Sequence, residues 1–343
     1  MLSQKISHTE ISEVKQLFEN CRNVVITTHV SSDGDAIGSS LGLYEYLKKK
    51  GKQVTVIVPN YYPDFLKWMN DADKIIQYDR HRAAAKTYIS CADLLVCLDL
   101  NEPSRMEDLA VPFMASRAKK LLIDHHLHPQ RFCDVVLSYP NASSTSELVF
   151  RVIDSIGGTG QLNKSAAEDI YAGMCTDTGK FAYNSNDPDI YIILSELLRK
   201  GIDKDKINRL IYNNYTEARF RLLGYILSEK LKVFADKHAT LFTLTREELG
   251  QFNYLKGDTE GVVNLPLEIK GTKLSIYMRE DTEKPRIFVS IRSVDDFPAN
   301  KMAADFFNGG GHLNAAGGQL YCSMEEAIGI VEKALEAYKD LLQ

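Results

Sequence analysis

The sequence predicts an α/β protein: a mainly parallel, doubly wound sheet in an N-terminal domain, then a smaller α+β domain, with a cleft between them. Three observations carry this expectation. Short apolar runs at 24–28, 53–58, 94–98 and 120–123 alternate with stretches of helical periodicity, the pattern of a sheet covered on both faces. Three of those runs lead into imidazole or carboxylate groups: His29 with Asp33-Gly34-Asp35, then Asp99, then Asp124-His125-His126. Open α/β sheets bind ligands outside the carboxyl ends of their strands, so these groups stand where a site belongs. Beyond about residue 227 the apolar period becomes that of short strands, which marks the second domain.

Taken in order, residues 9–22 place Ile11, Val14, Leu17 and Phe18 at helical spacing and predict an amphipathic helix. Strand 24–28 passes through a polar loop into a helix over 36–50. Gly51 stops that helix as a left-handed cap, and strand 53–58 closes a β-α-β unit. Residues 59–70 are aromatic and proline-bearing, with Trp68 as a packing residue; 75–78 reads as a short strand and Arg80-His81-Arg82 as solvated surface. A helical stretch around 105–117 separates strands 94–98 and 120–123. Ser144 and Glu147 have capping-box spacing and predict a helix through Ile156, ended by Gly157-Gly158. The next helix starts near Ser165 and carries Ala166, Ile170, Tyr171 and Met174 toward 175–179, whose polar, glycine-bearing composition reads as a loop. Residues 190–227 are helical in period throughout. Strands over 239–245, 273–278 and 286–292, with a final amphipathic helix over 323–342, complete the chain.

At 343 residues the chain exceeds one ordinary core. Its 44% hydrophobic and 25% charged residues fit a soluble globular protein. No apolar stretch approaches the ~18 residues of a membrane helix, and the N-terminus lacks the apolar core of a secretion signal. A cytoplasmic location is expected. The six cysteines are scattered without a CxxC pair, which argues against a zinc ribbon or a disulfide framework. A net charge of −5 with no basic run argues against a grip on long nucleic acid. An anionic substrate would therefore be short.

His29, Asp33, Asp35, Asp99, His125 and Asp177 supply imidazoles and carboxylates from separate segments. The mixture suits manganese or a similar divalent ion better than a thiolate zinc site or an all-oxygen calcium site. Six donors exceed the needs of one ion that must admit substrate; two ions sharing carboxylates use them better. An EF-hand fails on spacing, because Ile37 and Tyr44 stand where oxygen ligands belong. Neither HExxH nor a P-loop occurs. A lone aspartate or histidine is usually a surface charge, but the joint placement at strand ends reverses that weighting. In the second domain, Gly309, Gly310 and Gly311 precede His312, and Gly317-Gly318 follow soon after. Consecutive glycines let backbone amides approach an anion, although plain turns use the same letters. Arg292 upstream adds a cation.

HVSSDGDAIGS, LDLNEPSR, the DHH triplet and CTDTG, in that order, resemble the four motifs of the DHH phosphoesterase superfamily. NGGGHLNAAGG, with VSIRS upstream, resembles the DHH-associated C-terminal domain. The resemblance spans nearly the whole chain. Its two-domain layout is similar to the nanoRNase branch, whose members act on short oligoribonucleotides and 3′-phosphoadenosine 5′-phosphate; some carry the label exopolyphosphatase-related. The implied boundaries are a DHH catalytic domain over 1–190, a helical connector over 191–227 and a DHH-associated substrate-binding domain over 228–343.

The resemblance implies two divalent cations, manganese first, with magnesium or cobalt as alternatives. It places His29, Asp33 and Asp99 on one ion and Asp35, Asp99, His125 and Asp177 on the other, with Asp99 bridging. Where the family commonly has proline before its first aspartate, this chain has Ser32; no ligand is lost, so only loop stiffness should change. Water activated between the ions would attack phosphorus in line. His126 would contact phosphate, Asp124 would orient a histidine or water from behind, and Arg105 is a candidate substrate contact, with a surface salt bridge as its plain alternative. Arg292 and the turn Gly309, Gly310, Gly311, His312 would hold the far phosphate or terminal nucleotide across the cleft, so that the two sites act as a ruler for short chains. Expected partners are short RNA oligonucleotides or nucleoside bisphosphates, without long nucleic acid or membrane; a homodimer stays open. The alternatives are a phosphodiesterase for linear or cyclic di-adenylate, an exopolyphosphatase-like hydrolase, and a non-catalytic nucleotide- or RNA-binding module. The complete ligand set argues against the last.

Overall fold

In the computed structural model, which describes residues 2–213, 216–255 and 257–343, the predicted apolar runs pair into one parallel sheet. Its strands are β1 (Asn23–Thr27), β2 (Gln53–Val58), β3 (Ile76–Gln77), β4 (Leu94–Leu98), β5 (Lys119–Asp124) and β6 (Val135–Ser138). They lie in the order β3-β2-β1-β4-β5-β6, and in register Ile26 sits between Val56 and Val96. The strand order reverses between β1 and β4, which opens a crevice at the carboxyl ends of those two strands. His29 follows β1 and Asp99 follows β4, so the crevice is flanked by candidate ligands.

The chain divides into two compact units, Met1–Asn214 and Tyr215–Gln343. The helices of the first are α1 (His8–Asn20), α2 (Gly34–Lys49), α3 (Arg82–Cys91), α4 (Ala110–Ala115), α5 (Thr145–Ser155), α6 (Lys164–Asp177), α7 (Pro188–Arg199) and α8 (Lys204–Tyr212). Ile26, Val96 and Ile123 on one sheet face pack with Leu41, Phe150 and Ile170 from α2, α5 and α6. On the other face, Val25, Leu95 and Leu122 pack with Ile89 and Phe113 from α3 and α4. Burial on both faces is why the strands read as continuous apolar runs.

Several boundaries differ from the sequence expectation. The polar segment 175–177 is the last turn of α6, not a loop: Met174 and Cys175 are buried, and the helix stops at Gly179, whose φ is +54°. The stretch 105–117 is a 3-10 turn over Pro103–Leu109, broken at Glu107 with φ 50°, followed by the short α4. Arg82 opens α3, which the surface reading of 80–82 passed over because Ala85 and Ile89 alone are buried along that helix. Residues 190–227 are separate helices, interrupted at Gly201 with φ +82°; Asn214 and Tyr215 of that stretch lie outside the described residues. Gly51, with φ +79°, is the left-handed stop of α2.

The second unit holds β7 (Lys232–Phe234), β8 (Ala239–Leu244), β9 (Leu274–Glu280), β10 (Ile287–Ser293), β11 (Gly310–Gly311) and β12 (Ala315–Leu320), in the order β11-β12-β10-β9-β8-β7. Only the β8–β9 pair is parallel among these. Its helices are α9 (Glu217–Tyr225), α10 (Arg246–Gln251), α11 (Ala299–Phe306), α12 (Met324–Ala337) and α13 (Lys339–Leu342). Ile276, Val289 and Ile291 on one sheet face pack against Met302, Phe307 and Val331. Phe242 and Tyr277 on the other pack against Leu222 and Val262. Among the described residues no helix is long and apolar enough to cross a membrane.

Candidate metal centre

The centre depends on how closely α2 and α6 approach. A Cβ on Gly38 would lie 2.6 Å from the Asp169 carbonyl oxygen, and one on Gly173 would lie 1.9 Å from Ser146 Oγ and 3.0 Å from Asp35 Oδ1. Only hydrogen fits at either position. The approach brings Asp35, in the first turn of α2, beside Asp177, in the last turn of α6. Gly38→Ala is therefore expected to cost about 1–3 kcal/mol through overpacking and to weaken manganese binding by spreading the carboxylates. Urea denaturation and metal titration measure both. Gly250→Ala, where a Cβ meets open space, should stay within about 0.5 kcal/mol of wild type or gain stability; equal losses in the two variants would refute the packing argument.

His29 is buried at the end of β1, and its Nδ1–H donates to the Val30 carbonyl at 2.9 Å. A carbonyl only accepts, so Nδ1 is the donor there and Nε2 is the atom turned toward the carboxylates. That atom lies 3.4 Å from Asp99 Oδ2 and 3.9 Å from Asp33 Oδ1. His125 repeats the pattern: Nδ1–H donates to the Ala142 carbonyl at 3.3 Å, and Nε2 lies 3.5 Å from Asp177 Oδ2, 3.6 Å from Asp99 Oδ1 and 4.0 Å from Asp35 Oδ2. Asp99 thus stands between the two imidazoles. Its φ is +61°, an uncommon backbone state for a residue other than glycine. Asp33 also caps α2, its Oδ1 accepting from the Asp35 and Ala36 amides at 3.1 Å.

The amino end of α5 supports two of these carboxylates. Thr145 and Ser146 N–H donate to Asp35 at 2.6 and 2.9 Å, and Thr145 Oγ1 donates to Asp99 Oδ1 at 3.0 Å. Sequence reasoning missed both residues. It saw only the capping spacing, of which half exists: Ser144 Oγ accepts from Glu147 N–H, while the Glu147 carboxylate turns to Ser143 and Arg151. The available signal was the run Ser143-Ser144-Thr145-Ser146 directly before an apolar helix.

The electrostatics describe a site short of positive charge. Burial, then Asp99 and Asp177, push the Asp35 carboxyl well above the usual range. Burial raises Asp177 to about 7 against the pull of His125. His125 is held at about 9, because Asp177, Asp99 and Asp35 outweigh its burial. Asp99 lies well below the carboxylate range, its burial outweighed by the hydrogen bond with His29 and by His126 and His125. Imidazole nitrogens and buried carboxylates converge, and the crowding of negative charge is what a divalent cation neutralises. Asp99/His125/His126, His29/Asp33/Asp99 and Asp35/His125/Asp177 each bring ligand atoms within 4.8 Å of one another. The donor set therefore fits cation binding, with Asp99 shared.

The remaining candidates are placed as follows. Asp124 is fully buried and its Oδ1 accepts from His126 Nδ1–H at 2.8 Å, so the histidine it orients is His126. The Arg105 carbonyl accepts from Val30 N–H at 2.7 Å, which ties its turn to the loop carrying His29. Arg292 and residues 309–312 belong to the second unit. There Gly310 and Gly311 form β11, paired with Gly317 and Ala316. A Cβ on Gly309 would lie 1.8 Å from the Gly317 oxygen, and Gly309 and His312 amides donate to Ala303 and Ala315. The glycine run is thus a tight hairpin, and two amides that an anion-binding nest would use are already bonded.

A parallel sheet with an imidazole and carboxylate centre over its switch point, followed in the same chain by a glycine-edged second sheet, defines the class as a two-domain α/β protein with a candidate divalent-metal centre. The chain belongs to the DHH family: the model of the DHH family N-terminal domain matches residues 23–174, and that of the DHHA1 domain matches 239–342. It is 30% identical to the bifunctional oligoribonuclease and PAP phosphatase NrnA of Thermus thermophilus, over 93% of this chain and 90% of that one. It is 27% identical to the probable bifunctional oligoribonuclease and PAP phosphatase NrnA of Streptococcus mutans, over 93% and 95%. The crystal structure of an exopolyphosphatase-related protein from Bacteroides fragilis shares 52% identity and a TM-score of 0.96, covering 99% of both chains.

Proposed function

We propose that this protein hydrolyses phosphoester bonds in short oligoribonucleotides, from the 3′ end, and in nucleoside 3′,5′-bisphosphates. The observation that carries the reading is the convergence of His29, Asp33, Asp35, Asp99, His125 and Asp177 into overlapping ligand sets that share Asp99. The relatives named as oligoribonuclease and PAP phosphatase, matched over most of their length, support the substrate class. The mixed nitrogen and oxygen donors favour manganese over zinc or calcium.

When bound, divalent cations lower the pKa of water and stabilise charge on phosphoryl oxygens. The chain's own residues do the positioning. The Val30 and Ala142 carbonyls fix the two ligand imidazoles with Nε2 presented. The first turn of α5 holds Asp35 and Asp99 at set angles. Asp124 fixes the orientation of the His126 ring, which contacts phosphate in this reading. Arg105 is a further phosphate contact in this reading, and Arg292 with Gly309, Gly310, Gly311 and His312 holds the distal nucleotide.

Purified protein with manganese, assayed on two-to-five-nucleotide RNA, 3′-phosphoadenosine 5′-phosphate, linear and cyclic di-adenylate and polyphosphate, tests the proposal. RNA and the bisphosphate are expected to be turned over fastest, and a chelator should stop the reaction. Inactivity of manganese-loaded protein on both would overturn it, and preference for a di-adenylate or polyphosphate would transfer the site to that substrate.

A further inference from the structure

Two of the six cysteines meet on the face of the first sheet that α3 and α4 cover. Cys97 stands on β4 in register with Thr27 and Leu122, and it is fully buried. Cys133 lies in the segment that returns from Asp124-His125-His126 to β6. The Gln130 amide donates to the Asn101 carbonyl at 2.8 Å, beyond the carboxyl end of β4, and Asp134 accepts from the Lys120 amide at 2.8 Å, near the amino end of β5. Residues 130–134 therefore run down the sheet face between those two ties. Phe132 sets its ring edge-on to Phe113 of α4, 6.4 Å between centres, and Cys133 packs into the same core as Cys97. The two side chains are hydrogen-bonded to each other as free thiols.

The pair is asymmetric in a way that suits stepwise oxidation. Cys133 is half-buried, so a small oxidant reaches it from solvent, whereas Cys97 has no exposed surface. Exposure decides which thiol a peroxide oxidises first, and a second thiol in contact turns the product into a disulfide. The pair also sits against the metal centre along the chain. Cys97 is two residues before Asp99, and the segment holding Cys133 follows His125 and His126.

We propose that Cys97 and Cys133 form a modification site for hydrogen peroxide, and that their disulfide weakens cation binding at the metal centre. The second half rests on the cation reading above. The Cys133 sulfur attacks one peroxide oxygen, the O–O bond breaks, and the departing hydroxide takes the thiol proton as water, leaving a sulfenic acid. The Cys97 sulfur then displaces that hydroxyl: the S–S bond forms, the S–O bond breaks, and a second water leaves with the Cys97 proton. Two thiols give up two electrons, and one peroxide becomes two waters. To form the bridge, sulfurs in hydrogen-bond contact must close to bonding distance. Strand β4 is held on both edges by β1 and β5, so the segment 127–133 does the moving. Asn101 grips that segment at both of its ends: its side-chain amide donates to the Leu127 carbonyl and its own carbonyl accepts from Gln130 N–H, each at 2.8 Å. The displacement therefore reaches the backbone beside Asp99 and His125.

The full chain, treated with hydrogen peroxide in a chelator and quenched with catalase, is mapped by mass spectrometry of its proteolytic peptides and then titrated with manganese. Cys91→Ser with Cys322→Ser serves as the background, because Cys91 is exposed and Cys322 half-buried. The expected result is a linked Cys97–Cys133 peptide pair, a manganese affinity lowered by about tenfold, and recovery of the starting affinity after dithiothreitol. Cys133→Ser in that background should bind manganese like its parent and be indifferent to peroxide. Should the background fold poorly, the peptide map identifies the same bridge in wild type. Oxidation without the linked pair, or a linked pair with unchanged manganese affinity, overturns the proposal. If the reduced protein binds no manganese, the cation reading fails and the coupling with it, while the peptide map still decides the bridge.

Discussion

Asp99→Asn is expected to lower kcat/KM for phosphoester hydrolysis by roughly 10³-fold or more and to weaken manganese binding in the same protein. The change is nearly isosteric, but it removes the charge of the carboxylate that two imidazoles face, at 3.4 and 3.6 Å. It also replaces an acceptor of the Thr145 hydroxyl with an amide that can point either way. A milder companion is Thr145→Val, which keeps the ligand and removes its support; losing such a partner typically costs about 10–100-fold. Steady-state kinetics with manganese titration separates the cases: Thr145→Val should recover part of its activity at high manganese, and Asp99→Asn should not. Retention of both metal affinity and rate by Asp99→Asn would remove the shared-ligand assignment.

The order of these effects also bears on what a sequence can disclose. The central strands of the first unit were legible because both sheet faces are buried, which forces unbroken apolar runs at 24–28 and 94–98 and leaves polar groups only at their ends; the edge strand β6, mostly half-buried, was missed. For the same reason His29, Asp33, Asp35, Asp99 and His125 could be gathered before any fold was known, since they follow strand ends that converge in an open α/β sheet; Asp177 closes a helix and was legible only from its motif. Thr145 and Ser146 were not legible: their amides reach Asp35 across 110 and 111 residues of chain, a register that no local pattern encodes. The close approach at Gly38 and Gly173 was hidden likewise, because a helical glycine reads as a weakness until the neighbouring helix is known. Strand β12 escaped because its glycines suggested a turn, whereas Gly318 is there to admit the Phe307 carbonyl, 2.1 Å from where a Cβ would stand. Each miss concerns a position where tertiary packing overrides local propensity.

The second large effect concerns stability. Arg151 is 2% exposed; its Nε donates to Glu147 Oε1 at 2.7 Å and its NH1 to Asp189 Oδ2 at 3.0 Å and the Ser3 carbonyl at 3.2 Å. Glu147 is fully buried and also accepts from the Ser143 amide and hydroxyl, each at 2.7 Å, and from Lys5 at 3.2 Å. The network ties the N-terminal segment, α5 and the start of α7 together. Arg151→Met fills the space but takes the buried charge partner from Glu147 and Asp189, so a loss of about 3 kcal/mol is expected, with Ser143 and Lys5 still bonded to Glu147. Its pH dependence identifies the cause. Burial alone would raise the Glu147 pKa, but the Ser143 bonds and Arg151 together hold it below the usual value. The unfolded chain therefore binds the extra proton, and this stabilisation is present above the unfolded pKa and fades as pH falls through the folded one. Without Arg151 the Ser143 bonds and Lys5 alone oppose burial, so the folded pKa of Glu147 rises and less of this stabilisation remains at neutral pH. The difference between wild type and Arg151→Met should accordingly be larger near pH 7 than at about pH 4, measured by denaturant unfolding at both. A difference independent of pH would assign the loss to packing instead, and Glu147→Gln in the Arg151→Met background should then recover nothing.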